Sequence, residues 1–131
     1  MREILFRGKR IDNDKWIEGC FVKGHSGITW IFRDEFSDRS AIMPAVIPET
    51  VGQYTGLTDK NGKRIFEGDV IESWLGSFFV IKFGQYSDSE EKVSGNGWHA
   101  FGDYETLYFD ESWEGHEVIG NIHDNSELLK R

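Results

Sequence analysis

The chain holds one cysteine and two prolines in 131 residues, and its apolar runs are short. Each scarcity excludes something. A lone Cys20 cannot close an internal disulfide, so the fold must stand on its core, and a reducing compartment suits it. Within Trp16-Ile17-Glu18-Gly19-Cys20-Phe21-Val22 the cysteine reads as a small apolar strand residue rather than a nucleophile. The longest apolar run, Phe78–Ile81, falls far below the roughly twenty residues that span a bilayer. The opening Met1-Arg2-Glu3-Ile4-Leu5-Phe6-Arg7 lacks the long apolar core of a signal peptide. The expectation is a soluble protein kept in the cytoplasm, with no membrane partner.

Basic charge is scarce in the second half. Residues 1–64 carry 11 Lys+Arg against 9 Asp+Glu, a net of +2, and residues 65–131 carry 4 against 14, a net of −10. Nucleic-acid affinity rests on Lys and Arg displacing counterions, so the acidic half argues against direct nucleic-acid binding. Solubility accounts for most of the acidity. A docking face for a basic partner, including the basic half of another copy, is the sharper reading.

What the chain does have is aromatic residues, at 15%, and fifteen glycines. Aromatic and β-branched side chains suit a pleated, half-buried surface, and frequent glycine suits many tight turns. Strands are expected over 2–7, 16–22 and 28–32, and an extended edge segment over 41–47. A helical turn is expected at Pro48-Glu49-Thr50, then strands around 52–55, 70–74, 78–83, 98–101, 107–109 and 117–122. Residues 84–97 read as a flexible hairpin loop. Phe78–Phe83 has the density of a strand packed on both faces. Asn61-Gly62 reads as a type I′ hairpin turn. Asn125 or Ser126 reads as the N-cap of a short closing helical turn. The fold class is therefore mostly β with little helix. An N-terminal antiparallel β meander over 1–48 precedes a small Src-homology-3-like β barrel over 49–131.

No motif announces chemistry. Glu67 and Asp69 flank Gly68, but carboxylates at a tight bend more often cap backbone N–H groups than act as acid and base. His99, His116 and His123 lie among Asp103, Glu114, Glu117 and Asp124 at spacings that match no metal motif. Gly95-Asn96-Gly97 precedes no helix pattern and cradles no phosphate. Neither a cofactor nor a catalytic residue is assigned. The aromatic stock of the second half includes Trp74, Phe78, Phe79 and Phe101. It exceeds what a small barrel can bury, so two or three rings should reach the surface. Trp98, Tyr104, Tyr108 and Trp113 are the candidates for contact with a partner.

One long block runs Val46-Ile47-Pro48-Glu49-Thr50-Val51-Gly52-Gln53-Tyr54-Thr55-Gly56-Leu57-Thr58-Asp59-Lys60-Asn61-Gly62-Lys63 into Ile65-Phe66-Glu67-Gly68-Asp69-Val70-Ile71. It resembles the YopX family of phage and prophage proteins. The opening Arg2-Glu3-Ile4-Leu5-Phe6-Arg7-Gly8-Lys9 and the closing Val118-Ile119-Gly120-Asn121-Ile122-His123-Asp124-Asn125 are similar to that family's two ends. The resemblance implies a small β-rich protein of bacteriophages of Gram-positive bacteria, often self-associating, in an infected or lysogenic host cell. It carries over no catalytic residue. The functional expectation is a non-enzymatic accessory protein that contacts itself and an unidentified host or phage protein. The rivals are a metal-dependent hydrolase using the acidic face and an acidic nucleic-acid mimic that occupies a basic host protein.

Overall fold

The computed structural model describes residues 4–35, 40–73, 75–88, 93–102, 106–108 and 111–127. The chain divides into two compact units, Met1–Tyr54 and Thr55–Arg131. No helix of seven or more residues occurs among the described residues, and every described strand pairing is antiparallel. No described helix is long and apolar enough to cross a membrane.

In the first unit the strands are β1 (Phe6–Arg10), β2 (Trp16–Lys23), β3 (Thr29–Glu35), β4 (Ser40–Ile42) and the start of β5 (Ala45–Thr58). The first four form the expected meander, each strand pairing with the next. β5 then pairs with both β1 and β3, through Arg10↔Val46 and Thr29↔Val46, and closes the ring. Ile17, Ile31 and Val46 fill its centre, with Phe6 and Val51 packed against them. Close approach of backbones sets this core. A Cβ at Gly19 would lie 2.2 Å from the Phe32 carbonyl oxygen on β3, a distance no side chain tolerates.

β5 is longer than the sequence suggests. The helical turn expected at Pro48-Glu49-Thr50 is a bulge instead. Between Arg7 and Lys9, two positions apart, the partners on β5 run from Gly52 to Ile47, five positions apart, so β5 carries three extra residues. The Thr50 side chain fills that gap. Its Oγ1 accepts the Lys9 N–H at 2.9 Å and donates to the Ile47 carbonyl at 2.6 Å. A bulge absorbs Pro48 without breaking the ladder, because an unpaired position needs no N–H.

In the second unit the end of β5 pairs with β6 (Arg64–Phe66). The remaining strands are β7 (Asp69–Glu72), β8 (Phe78–Asp88), β9 (Val93–Phe101), β10 (Thr106–Tyr108) and β11 (Glu117–Asn121). They form a five-stranded sheet in the order β10-β9-β8-β7-β11. Directly paired residues share a face, so the rows Ile71–Phe79 and Ile81–Ala100–Leu107 point the same way. With Ile65 and Val118 they make one apolar core.

A 3-10 helix, Glu111–Gly115, is absent from the sequence expectation. It carries Trp113 into that core, where the indole is fully buried. Trp113 is therefore a packing residue and not a surface contact. The face that carries Ile71, Phe79, Ile81 and Ala100 needs a large side chain to cover it, and Trp113 supplies it. Residues 84–88 and 93–97, expected as part of a loop, continue β8 and β9 in unbroken register from Gly84↔Gly97 to Asp88↔Val93, and residues 89–92 of that expected loop lie outside the described residues. Trp113→Ala should cost about 3–5 kcal/mol in chemical denaturation. A surface tryptophan would change stability by less than about 0.5 kcal/mol, and such a small effect would remove Trp113 from the core.

Candidate functional site

Several polar residues of the long sequence block and of the closing segment turn inward. Thr55 is buried, and its Oγ1 donates to the Ile65 carbonyl at 2.8 Å, tying the end of β5 to β6. Asp69 is buried, and its Oδ2 accepts the Phe66 N–H at 2.8 Å across the Glu-Gly-Asp bend. Asn121 is buried as well. Its Oδ1 accepts the N–H groups of His123 and Asp124, and its own N–H donates to Asn125 Oδ1 at 3.2 Å. Asn125, one of the two expected N-caps of the closing turn with Ser126, thus also reaches back to the end of β11.

Asp59 is the centre of this set. It is only 4% exposed. Its Oδ1 accepts the N–H groups of Asn61 at 2.8 Å and Lys63 at 2.9 Å, and its Oδ2 accepts the Val118 N–H of β11 at 2.9 Å. The Asp59 N–H donates to the Lys63 carbonyl at 2.7 Å, and the Gly62 N–H donates to the Asp59 carbonyl at 3.0 Å. One residue on, the Lys60 N–H donates to the His116 carbonyl at 2.9 Å. Burial pushes the Asp59 carboxyl up. The N–H groups of Val118, Lys63 and Asn61, helped by the Lys63 charge, outweigh that and hold it below the usual carboxylate range.

The turn itself differs from the type I′ form expected. A type I′ turn needs positive φ at both central residues. Asp14 is the one described non-glycine residue with positive φ, which leaves Asn61 at negative φ. Gly62 follows at φ 82°. This is the three-residue loop, in which a tight turn ends on a glycine in the left-handed region. The extra residue frees Asp59 to point its carboxylate back over the loop and sideways onto β11.

A carboxylate with its oxygens committed to backbone N–H groups is a poor general base. The histidines do not gather. His99 is buried, with Nδ1 3.0 Å from the Gly97 carbonyl, and His116 Nδ1 lies 3.0 Å from the Ser112 carbonyl. Among the described residues no group of three or more His, Cys, Asp or Glu is placed to hold a metal ion.

Exposed aromatic rings lie on the sheet of the second unit. β7 pairs with β8 as far as Val80, and β10 pairs with β9 as far as His99. Beyond Ile81, whose carbonyl still accepts the Gly68 N–H at 2.9 Å, the described pairings join β8 and β9 only to each other, as a two-stranded ribbon. Trp98 stands opposite Phe83 there, with ring centroids 5.0 Å apart and planes at 69°. Trp98 is half-buried against the core, while Phe83 is 60% exposed. On the opposite face Lys82 Nζ sits 4.7 Å over the ring of Phe101, itself 49% exposed.

Of the four candidate contact residues, Trp98 lies on this ribbon and Trp113 is in the core. Tyr108 is in β10 opposite His99, its side chain outside the described residues, as is the whole of Tyr104. The sequence reading missed Phe83 by assigning it to a strand packed on both faces. The strand is so packed at Phe79, Val80 and Ile81 and loses its cover two residues later.

The family model described as YopX protein matches residues 5–130. A search of curated proteins found no match. Among solved structures, protein EF1440 from Enterococcus faecalis is similar, with a TM-score of 0.55 and 24% identity. The alignment covers 98% of this chain and 99% of that one. That likeness carries the fold and nothing of an activity.

Asp59→Ala should cost about 2–4 kcal/mol at neutral pH, because three backbone donors lose a charged acceptor. Asp59→Asn retains one carbonyl oxygen and should cost less. A carboxyl whose folded pKa is depressed contributes stability that is present above its unfolded pKa, about 3.9, and lost as pH falls through the folded value. Denaturation curves should therefore separate wild type from Asp59→Ala at pH 7 and converge in acid below about pH 4. A gap that persists undiminished in acid would show that the charge contributes nothing.

Proposed function

The chain belongs to the YopX family, and from that premise we propose that it is a non-enzymatic accessory protein of a phage or prophage. It acts by protein–protein contact, with copies of itself and with a host or phage protein, in the cytoplasm of an infected or lysogenic bacterium. The observation that carries this reading is the β8–β9 ribbon. The apolar row Ile81–Ala100, buried in the core, runs on into Phe83–Trp98, where the cover stops. A two-stranded ribbon is marginal by itself in water, and an exposed aromatic pair at its base gains by being covered. The inward commitment of Thr55, Asp59, Asp69 and Asn121 supports a scaffold role for the family block rather than a catalytic one.

The unit boundary changes the charge argument. Residues 1–54 carry 8 Lys+Arg and 8 Asp+Glu, a net of 0, and residues 55–131 carry 7 and 15, a net of −8. Lys60, Lys63 and Arg64, which made the first half basic, belong to the acidic unit. Self-contact by opposite charges therefore has little to work with. The stretch 78–101 carries Lys82 and Lys92 against Asp88, Glu90 and Glu91, a net of −1, which leaves −7 on the rest of that unit. Like surfaces can meet at the ribbon with little repulsion, and apolar contact is the favoured route.

Light scattering on a sizing column at micromolar concentration should give an oligomer at about 0.1 M salt that persists at about 1 M, where the Debye length is near 3 Å. Phe83→Ser should shift the distribution toward monomer without lowering thermal stability, since the ring is mostly exposed. A wild-type monomer at both salt levels would end the self-contact reading. Dissociation at high salt alone would return charge pairing as its cause.

A further inference from the structure

The exposed hairpin between β5 and β6 carries a dipeptide whose chemistry lies outside any contact role. We propose that Asn61 is a self-modification site. Its spontaneous conversion to aspartate and isoaspartate is held dormant by the Asp59 network and, once it occurs, releases that loop from β11.

The reaction uses only the chain and water. The Gly62 backbone nitrogen gives up its proton to solvent base and attacks Asn61 Cγ. A C–N bond forms, the carboxamide nitrogen leaves as ammonia, and the product is a five-membered succinimide. Water then opens the ring at one carbonyl or the other, giving aspartate or isoaspartate. Glycine as the following residue is the most permissive partner, because it has no side chain to obstruct the approach. Here a Cβ at Gly62 would meet nothing within 4 Å, and Asn61 is exposed.

The fold opposes each step. The attacking nitrogen carries its proton in a hydrogen bond to the Asp59 carbonyl at 3.0 Å. The N–H groups on both sides of Gly62, those of Asn61 and Lys63, are fixed on Asp59 Oδ1. The carboxamide is drawn the other way, with Nδ2 3.5 Å from Glu117 Oε1. Cyclisation needs these bonds released together, so its rate follows the opening of the loop.

The product does not fit the closed loop. A carboxylate at position 61 would face Glu117, which already draws Lys60 Nζ at 3.6 Å, within a unit of net charge −8. Isoaspartate adds a methylene to the backbone of a loop whose ends are pinned by the Asp59 N–H to Lys63 carbonyl bond. Either change works against the Asp59–Val118 and Lys60–His116 contacts along β11.

The chain carries its own reference. Asn96-Gly97 is a second such dipeptide, set in the β8–β9 ladder opposite Gln85 and Gly84. Full-length protein is incubated in mildly alkaline buffer, and peptide mapping by mass spectrometry follows acid and isoaspartate formation at both sites. Conversion at Asn61 in folded wild type should be at least about tenfold slower than in the same protein in urea. Asp59→Ala, shown to be folded by circular dichroism, should recover most of that gap at Asn61 and leave Asn96 unchanged. Asp59→Asn, the milder change, serves in its place if the alanine variant does not fold. The converted protein, separated by ion exchange, should melt at a lower temperature than the parent. Equal rates at Asn61 in folded and unfolded wild type would overturn the proposal. So would an Asp59 variant that leaves Asn61 as slow as before, or a converted protein as stable as the parent.

Discussion

One buried carboxylate holds two parts of the second unit in register. Asp59 binds its own loop through Asn61 and Lys63 and binds β11 through Val118. Together with the Lys60 N–H on the His116 carbonyl, it occupies the outer edge of β11 as a neighbouring strand would. Further along, Asn125 does the same for the Asn121 N–H. An open sheet edge invites pairing with foreign strands. Here side chains close it, and the cost is a buried charge that needs all its partners. The depressed pKa of Asp59 is the electrostatic expression of that saturation.

This explains why the family block is recognisable. Thr55, Asp69 and Asn121 also serve backbone groups at strand ends and bends. Replacing any of them with an apolar residue would strand a buried donor or acceptor, so the block reads as a fold requirement. The proposed contact surface lies elsewhere, on the ribbon where Phe83 and Trp98 emerge from the core row.

The all-β class and most strand positions were legible in the aromatic and β-branched runs, and so were the places where the chain turns. The bend at Glu67-Gly68-Asp69 reads as a backbone cap, which Asp69 is. The misreadings share a cause, the tertiary satisfaction of polar backbone. Residues 84–97 look like a loop because they are rich in Gly, Ser and charged residues, but nine consecutive cross-strand pairs hold β8 and β9 from Val80 to Asp88. Pro48-Glu49-Thr50 looks like a helix start because local signals cannot show that Thr50 bridges a bulge between β5 and β1. Asn61-Gly62 marks a turn in either form, and only the carboxylate of Asp59, two residues back, decides the longer one. Trp113 looked available because it sits among Glu111, Ser112, Glu114 and Gly115. A 3-10 helix turns that one ring inward.

Native-state hydrogen exchange tests the role of Asp59 most directly. The amides of Asn61 and Lys63, in an otherwise exposed loop, and of Val118, on the outer edge of β11, have side-chain acceptors only from Asp59 in this network. If the carboxylate holds loop and edge as one unit, all three should exchange together, at the rate of the core amides of β7 and β8. If the loop amides exchange freely while the core stays protected, the Asp59 contacts are local decoration, and the edge of β11 is held by something else.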